Sequence, residues 1–482
     1  MKEKIKSHWF ILVILALAQF MVVLDVSIVN VMLPTVQKAF HLNEQSLQWI
    51  ITAYTLTFGG FLLFGGRAAD LFGRRKVFLI GVTVFSLASL LAGLSQSGGM
   101  LITIRAIQGL AGAFMSPAAL SIVLVTYKEG HERNLALSVW GAVAAGGAAV
   151  GVLLGGILTE YLGWRWNFFI NVPVGIFVLI AAYYLVPKHE SEETHNDLDL
   201  FGAISITSSL MLLVYGLVKA PTAGWTSHSS LIFFGLSIIL MAAFIWNENR
   251  VKNPLVPLKI FKIRNLTAAN IIQLFTAASL FSVFFFATLY LQEILGYSPV
   301  KTGVSFLIIP IVIGITATSA PKLIQKIGYK PILVAGPLFT GFGLFLLGHL
   351  VVHGSYFKNI MPGLIVMGFG LGFTFVSILV AATSGVKPEQ SGLASGLVNT
   401  AQQVGGSLGL AILSGIAASS TTRYIMNAHS HTPLTIVEGT VHGFSQGFYI
   451  AVTFSILASL TAAIVIKQKK GPIKVDPTAG LA

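Results

Sequence analysis

The stretch Gly66-Arg-Ala-Ala-Asp-Leu-Phe-Gly-Arg-Arg-Lys76 separates two long apolar runs and decides the fold. A turn with one acid and three consecutive cations cannot lie in hydrocarbon, so we expect a loop at a membrane surface. Gly73 can supply the positive φ that a tight turn between antiparallel helices needs. Asp70 can cap a helix or pair with an arginine. The cations Arg74, Arg75 and Lys76 predict that this loop faces the cytoplasm.

The composition indicates a polytopic, all-α membrane protein. Of 482 residues, 55% are apolar and only 10% are charged, about half the charged fraction of soluble domains. The apolar residues come in blocks of about 20, the length that crosses a bilayer as a helix. The absence of cysteine excludes disulfides, a thiol nucleophile and cysteine-ligated metal. We expect no cofactor and no metal site.

Fourteen transmembrane helices are predicted. They cover roughly 9–33, 47–66, 77–95, 99–124, 135–159, 166–186, 200–218, 230–247, 266–291, 302–320, 331–351, 360–383, 392–418 and 444–466. The first run is too long for a signal peptide, so we interpret it as a retained helix. The loop at about 419–443, with His429 and His431, is expected to be solvated rather than metal-binding.

The distribution of cations predicts that both termini are cytoplasmic. Of 30 lysines and arginines, Arg105 lies within a span, and 23 fall on the cytoplasmic side. The other six fall outside: Lys38, Arg165, Lys219, Lys301, Lys358 and Arg423. The cations behind the net charge of +13 therefore set the orientation of the chain in the membrane. They are expected to face anionic lipid of the plasma membrane rather than nucleic acid.

The chain divides as six plus two plus six helices. Aligning Gly328 with Gly73 places Pro321–Lys330 on the loop described above, with Gln325 in place of Asp70. Two related six-helix halves would build a central site at their interface. The predicted parts are a bundle at 1–186, a cytoplasmic linker at 187–199, two accessory helices at 200–249, a basic linker at 250–264, a second bundle at 265–466 and a tail at 467–482.

Two ionisable residues lie within predicted spans. Asp25 is the only acid well inside, and such residues are usually functional. Burial favours the neutral form of a carboxyl, so Asp25 is a candidate proton and cation site; the alternative is a carboxyl bonded to nearby backbone. At ~1.5 Å per residue, Asp25 and Arg105 lie about 10–13 Å below the outer surface, so they can interact. That pair could also be purely structural.

Helix 5 carries a face of glycines. Gly147, Gly151 and Gly155 fall four residues apart, and Gly156 follows directly. Such a face lets another helix approach closely, and tight packing alone would explain it.

Together these motifs resemble the major facilitator superfamily. The likeness rests on the Gly66–Lys76 loop, on Asp25, Asn30, Leu33 and Pro34 in helix 1, on Arg105, Gln108, Gly109, Gly112 and Ala113 in helix 4, and on the helix 5 glycines, where Val152 stands at the family's proline. With Trp164–Gly175, Leu291–Pro299 and Gly396–Gly406, the chain resembles the fourteen-helix drug:proton antiporter branch, often called the EmrB/QacA type.

The resemblance implies a monomeric proton-coupled multidrug exporter with protons and small lipophilic molecules as partners. It implies that the Gly66–Lys76 loop holds the two halves together in the outward-facing state, with Arg133, in the loop after helix 4, as a candidate partner. Aromatic and methionine side chains are expected to line the cavity. The candidate polar residues of that cavity, each of which could also serve only helix packing, are Asn30, Gln108, Asn270, Gln273, Gln402 and Gln403.

Other functions remain open at this stage. A transporter of the same fold could export a lipid, a peptide or a metabolite, and only assays separate these. A channel would need a repeated filter. An ATP-driven pump would need a phosphate-binding loop, which the sequence lacks. An intramembrane protease would need paired catalytic groups at depth, whereas Asp25 stands alone among the acids.

Overall fold

A computed structural model describes residues 2–127, 130–187, 198–387, 390–428 and 432–468. Within these residues the regular structure is entirely helical. Fourteen helices are long and apolar enough to cross a membrane. The predicted all-α class and the predicted helix count are therefore confirmed.

The long helices are numbered α1 to α14 along the chain. The first eight are α1 (Lys2–Phe40), α2 (Trp49–Phe72), α3 (Arg74–Gly93), α4 (Gly98–Thr126), α5 (His131–Tyr161), α6 (Asn171–Leu185), α7 (Leu200–Ala223) and α8 (His228–Glu248). The last six are α9 (Arg264–Leu289), α10 in two segments (Pro299–Phe306 and Ile308–Ile327), α11 (Tyr329–Leu347), α12 (Met361–Thr383), α13 (Ser391–Asn427) and α14 (Pro433–Val465). Short helical turns lie at Glu44–Leu47, Trp166–Phe169, Leu258–Lys262, Tyr290–Ile294 and Tyr356–Ile360.

The last two helices are longer than predicted. The sequence analysis placed a loop at about 419–443, but α13 continues to Asn427 and α14 begins at Pro433. The side chain of Thr432 caps α14 by accepting a hydrogen bond from the backbone of Thr435, at 3.3 Å. A threonine followed by proline is a helix-start signal, and the polar residues after it concealed the start. His429 and His431 lie outside the described residues.

The two six-helix halves repeat one packing pattern. In the first half α1 packs on α5 and α6, α4 packs on α2 and α3, and α3 packs on α6. In the second half α9 packs on α13 and α14, α12 packs on α10 and α11, and α11 packs on α14. Gly73 and Gly328 occupy equivalent turns and share a positive φ, +93° and +86°. The internal repeat that these glycines indicated is present in the packing.

The halves meet along two seams. One seam pairs α2 with α13, and the other pairs α5 with α10. The accessory helix α7 covers the first seam by packing on both α2 and α13, and α8 packs on α7. Leu56, Val214 and Val404 share a small apolar cluster there. The helices that interrupt the repeat therefore brace one side of the molecule.

We call the end of the bundle that carries Gly73 and Gly328 the Gly73 end, and the end that carries Gly163 the Gly163 end. The largest apolar cluster lies towards the Gly163 end and mixes both halves, from Leu33 and Trp164 in the first to Phe286 and Phe444 in the second. Towards the Gly73 end the cores are separate. One belongs to the first half, and the other belongs mainly to the second. The halves are thus joined at one end and distinct at the other.

Candidate functional site: a buried ion pair and two glycine-rich contacts

Asp25 and Arg105 form an ion pair in the interior of the first half. Asp25 lies in α1 and is 0% exposed, while Arg105 lies in α4 and is 1% exposed. Nη1 of Arg105 donates a hydrogen bond to Oδ2 of Asp25. The interaction that the depth estimate predicted is therefore present in the structure.

Two amides complete the shell of the carboxylate. Nε2 of Gln108 donates to Oδ1 of Asp25 at 2.7 Å, and Nδ2 of Asn171 donates to the same oxygen at 3.1 Å. Gln108 also accepts from Nη1 of Arg105 at 2.7 Å and donates to Oγ of Ser89 at 2.8 Å. Three side chains from two helices, α4 and α6, thus satisfy Asp25. The neighbouring backbone, which the sequence analysis had left as an alternative, is not its partner in the structure.

Arg105 has further partners on α2. Its Nε donates to the carbonyl of Ile50 at 3.1 Å, and its guanidinium carbon lies 4.2 Å from the centre of the Tyr54 ring. A cation over an aromatic face gains electrostatic stabilisation, most of all away from water. The guanidinium therefore joins α1, α2 and α4. Its contacts with Ile50 and Tyr54 do not depend on the charge of the carboxylate.

The two charges of this pair respond differently to protons. Arginine stays charged in proteins, whereas a carboxylate can be neutralised by a proton. A proton on Asp25 would replace the ion pair with a weaker contact and would loosen α1 from α4. Both carboxylate oxygens already accept hydrogen bonds, so a substrate cation cannot reach Asp25 without displacing Arg105, Gln108 or Asn171. The carboxylate is therefore closed to direct substrate contact in this structure.

The loop at the Gly73 end has the turn that the sequence predicted. Gly73 has a φ of +93° between α2 and α3, in the left-handed region that side chains with a Cβ avoid. Nε of Arg74 lies 3.1 Å from Oδ1 of Asp70, and both side chains are partly exposed. Gly66 packs near Pro117 of α4.

Two further cations at the Gly73 end, Arg75 and Arg133, contact neighbouring helices of the first half. Arg75 donates to the backbone carbonyl of Tyr183 in α6 and lies over its ring. Arg133, at the start of α5, donates from Nε to the carbonyl of Tyr127 at 3.2 Å. Lys76 is exposed at the start of α3. These contacts tie α3 to α6, and the start of α5 to the end of α4, at the Gly73 end.

The glycine face of α5 makes close helix contacts, as predicted. A Cβ added at Gly151 or Gly155 would collide with Ser27 or Ile28 of α1, and one at Gly147 would press on Phe20 and Val23. These three glycines therefore set the approach of α1 to α5 within the first half.

Gly156 has a different role, since it contacts the second half. A Cβ there would lie 2.6 Å from the carbonyl oxygen of Pro299. Gly303 of α10 packs in return on the backbone of Val152. Val152, which stands at the family's proline, is 2% exposed, and α5 is continuous through it. The α5–α10 seam is thus a backbone-to-backbone contact at the Gly163 end.

Side-chain hydrogen bonds close the Gly163 end further. Oε2 of Glu160 accepts from the backbone N–H of Val300 at 2.9 Å, at the start of α10. A carboxylate at a helix N-terminus is stabilised by the helix dipole. Nε2 of Gln292, in the second half, donates to the carbonyl of Val31 at 2.8 Å. The seal therefore combines glycine contacts, a mixed apolar core and polar links.

The predicted cavity residues fall into two groups. Gln108 is wholly buried in the Asp25 network, so it does not line a cavity in this structure, and Gln273 is 3% exposed. Asn30 is 8% exposed and donates to the carbonyl of Val26 in its own helix, at 3.1 Å. The partly exposed group consists of Asn270, Gln402 and Gln403.

Several residues of these sites were not assigned to these contacts from the sequence. Asn171, Ser89 and Tyr54 complete the Asp25 network, and Glu160 and Gln292 seal the Gly163 end. Asn171 could have been found, because an amide just inside an apolar span needs a partner for the same reason as Asp25. Ser89 carries no such signal, since a serine can bond to its own helix.

Comparison with known proteins identifies the class. The family model of the Major Facilitator Superfamily matches residues 15–410. The chain belongs to this superfamily, and it is a multi-pass membrane transporter rather than an enzyme. Solved structures of similar fold include an auto-inhibited peptide transporter of the POT family (TM-score 0.71, 13% identity, 98% of this chain and 99% of that one). Another is the xylose transporter XylE of E. coli in an inward-open conformation (TM-score 0.62, 15% identity, 96% and 97%).

The curated relatives place the chain among drug-resistance and export transporters of the superfamily. It is 38% identical to the puromycin resistance protein pur8 of Streptomyces alboniger, over 96% of this chain and 92% of that protein. It is 35% identical to the cephamycin export protein CmcT of Amycolatopsis lactamdurans, over 97% and 95%. It is 34% identical to the tetracenomycin C resistance and export protein of Streptomyces glaucescens, over 85% and 76%.

Proposed function

We propose that the protein is a proton-coupled multidrug efflux transporter that exports lipophilic, cationic or neutral compounds by alternating access. It works as a monomer in the plasma membrane, with both termini in the cytoplasm. The chain is similar over almost its full length to an antibiotic resistance protein and to an antibiotic export protein, which supports drug efflux.

The buried pair of Asp25 and Arg105 is the observation that carries the proton-coupling part of the proposal. Asp25 is closed off from water, accepts hydrogen bonds at both oxygens and links three helices of one half, α1, α4 and α6. A charged pair in this position is expensive, and removal of the carboxylate charge changes the contacts between α1 and α4. Such a group is suited to convert proton binding into a change of conformation.

The two ends of the bundle support alternating access. The halves are sealed at the Gly163 end by the α5–α10 contact and by a common apolar core, while their cores are separate at the Gly73 end. The cation distribution assigns the Gly73 end to the cytoplasm. With that orientation, the sealed Gly163 end faces the outside, which supports a state closed to the outside.

The test is a panel of drug susceptibility and fluorescent-dye efflux in cells that lack their own efflux pumps. Cells with the wild-type protein should tolerate several lipophilic drugs and should extrude dye, whereas Asp25→Asn cells should behave like the empty vector. Glu132→Gln, at an exposed carboxylate, is the matched control and should keep full activity. A wild-type protein that protects against no drug, yet exports a lipid, peptide or metabolite, would overturn the drug assignment.

A further inference from the structure

A pair of acids, Asp199 and Glu248, lies where the accessory helices meet the basic linker. Asp199 immediately precedes α7, Glu248 ends α8, and Val256 belongs to the linker that leads to the second half. Asp199 is 6% exposed and Glu248 is 4% exposed. This pair is separate from Asp25 and does not depend on the proposed function.

The two carboxyl groups face each other. A Cβ added to Gly202 would collide with Oδ2 of Asp199 and with Oε1 of Glu248 at once, so these two oxygens are neighbours. Two ionised carboxylates at such a short separation repel each other, and neither can donate a hydrogen bond to the other.

The other oxygens of the pair have donors. Oδ1 of Asp199 accepts from the backbone N–H of Gly202 at 2.7 Å, and both its oxygens accept from Nδ2 of Asn247, also at 2.7 Å. Oε2 of Glu248 accepts from the backbone N–H of Val256 at 2.8 Å. Oε1 of Glu248 is buried, and no donor reaches it within the described part of the chain.

Nearby cations do not complete the pair in the described residues. Arg250 lies over the ring of Trp246, 4.6 Å from its centre, and the side chain of Lys252 is exposed. The charge that acts on Glu248 is that of Asp199. A proton on one carboxyl would remove the repulsion and give Oε1 a hydrogen to donate.

We propose that Asp199 and Glu248 bind one proton between them, carried on Oε1 of Glu248 and donated to Oδ2 of Asp199. Asp199 remains the anion because it has three hydrogen bonds and caps α7. The shared proton joins the start of α7 to the end of α8, and Oε2 of Glu248 joins both to the linker at Val256. The pair is a proton-binding site outside the transport path that links the ends of two helices.

Infrared difference spectroscopy of the full-length protein in lipid nanodiscs at neutral pH tests this directly. The wild type should show the carbonyl stretch of a protonated carboxylic acid, and Glu248→Gln and Asp199→Asn should each lose it. In both variants an amide N–H takes the place of the shared proton, so the thermal midpoint should stay near that of the wild type. Glu132→Gln, at an exposed carboxylate, should leave the band unchanged.

Three outcomes would overturn the proposal. The first is a wild-type spectrum that equals those of both variants, and the second is a band that survives in either variant. The third is a wild-type protein that lacks the band and is stabilised by sodium or calcium, whereas Glu248→Gln is not stabilised. The last result would make the pair a metal-cation site. Because the readout is a spectrum, it is independent of whether the protein exports drugs. If Glu248→Gln does not fold, Asp199→Asn alone decides, since Asn can still cap α7.

Discussion

The guanidinium of Arg105 holds the carboxylate of Asp25 in the interior of the first half, and neither side chain is accessible to water. Each is the principal charge partner of the other in a region of low polarity. Removal of one partner therefore leaves an uncompensated buried charge, whereas removal of both leaves none. This asymmetry makes the pair testable by stability as well as by transport.

Arg105→Gln should destabilise the protein strongly. The buried carboxylate would lose its cation, a change that typically costs about 3–5 kcal/mol. The double variant Asp25→Asn, Arg105→Gln should recover much of that loss, because no buried charge is left. Thermal unfolding of the purified protein in detergent measures both. A double variant no more stable than Arg105→Gln alone would show that the ion pair is not what Arg105 supports.

Gly73→Val should impair turnover and leave substrate binding near normal. The φ of +93° at Gly73 costs a β-branched residue about 1–3 kcal/mol, so the turn between α2 and α3 should change shape. Dye binding to solubilised protein and efflux from cells are measured side by side, with Asp70→Asn as a second variant of the loop. Gly99→Val is the matched control, because a Cβ at Gly99 meets no atom within 4 Å. Equal loss of binding and turnover would refute a purely conformational role.

Gly156→Val should open the Gly163 end. The new side chain would overlap the backbone at Pro299, and such overpacking costs about 1–3 kcal/mol, enough to shift a two-state equilibrium roughly five-fold or more. The chain has no cysteine, so Val31→Cys, buried beside the seal, gives a single label site. A membrane-impermeant maleimide added from the Gly163 side should react faster in the Gly156→Val background.

Gly146→Val, on the same helix, is the control for that experiment, since a Cβ at Gly146 meets no atom within 4 Å. Unchanged labelling of Val31→Cys in the Gly156→Val background would mean that the α5–α10 contact does not hold the Gly163 end closed.

The export of a monovalent cation should be electroneutral. If Asp25 is the single coupling site, one proton enters for each molecule exported, so a monocation leaves with no net charge moved. A neutral compound would move one charge inward, and the membrane potential would help by about 2.3 kcal/mol per 100 mV. Efflux from proteoliposomes, at a fixed pH gradient with the potential clamped by a potassium ionophore, distinguishes the two cases. A monocation gradient that grows with inside-negative potential would require a second coupling proton, with Glu160 and Glu293 as first candidates.

Much of the fold could be predicted because a bilayer restricts backbone structure to helices of a known length. Helix ends were less predictable, as α13 and α14 show, because polar residues continue a helix once it leaves the hydrocarbon. The contact of Asp25 with Arg105 was predictable because two opposite charges at one depth have few other partners. Asn171 could be recognised as an amide in need of a partner, but its contact with Asp25, and that of Ser89 with Gln108, needed the structure, since these contacts depend on helix rotation and packing.

The roles of single glycines were also only partly predictable. The pattern on α5 indicated close packing, but it could not show that Gly147, Gly151 and Gly155 face α1 while Gly156 faces the second half. The Asp199–Glu248 pair was hidden for a related reason. Its members are 49 positions apart in sequence and meet only because α7 and α8 are antiparallel neighbours.

The most direct test of proton coupling at Asp25 is substrate-driven proton movement in proteoliposomes. Addition of a transported drug to vesicles that hold a pH-sensitive dye should drive proton exchange in the wild type and none in Asp25→Asn. Circular dichroism and size-exclusion chromatography should show that the variant is folded. An imposed pH gradient should likewise drive uphill drug accumulation in the wild type alone. Full uphill transport by Asp25→Asn, equal to the wild type, would contradict the account.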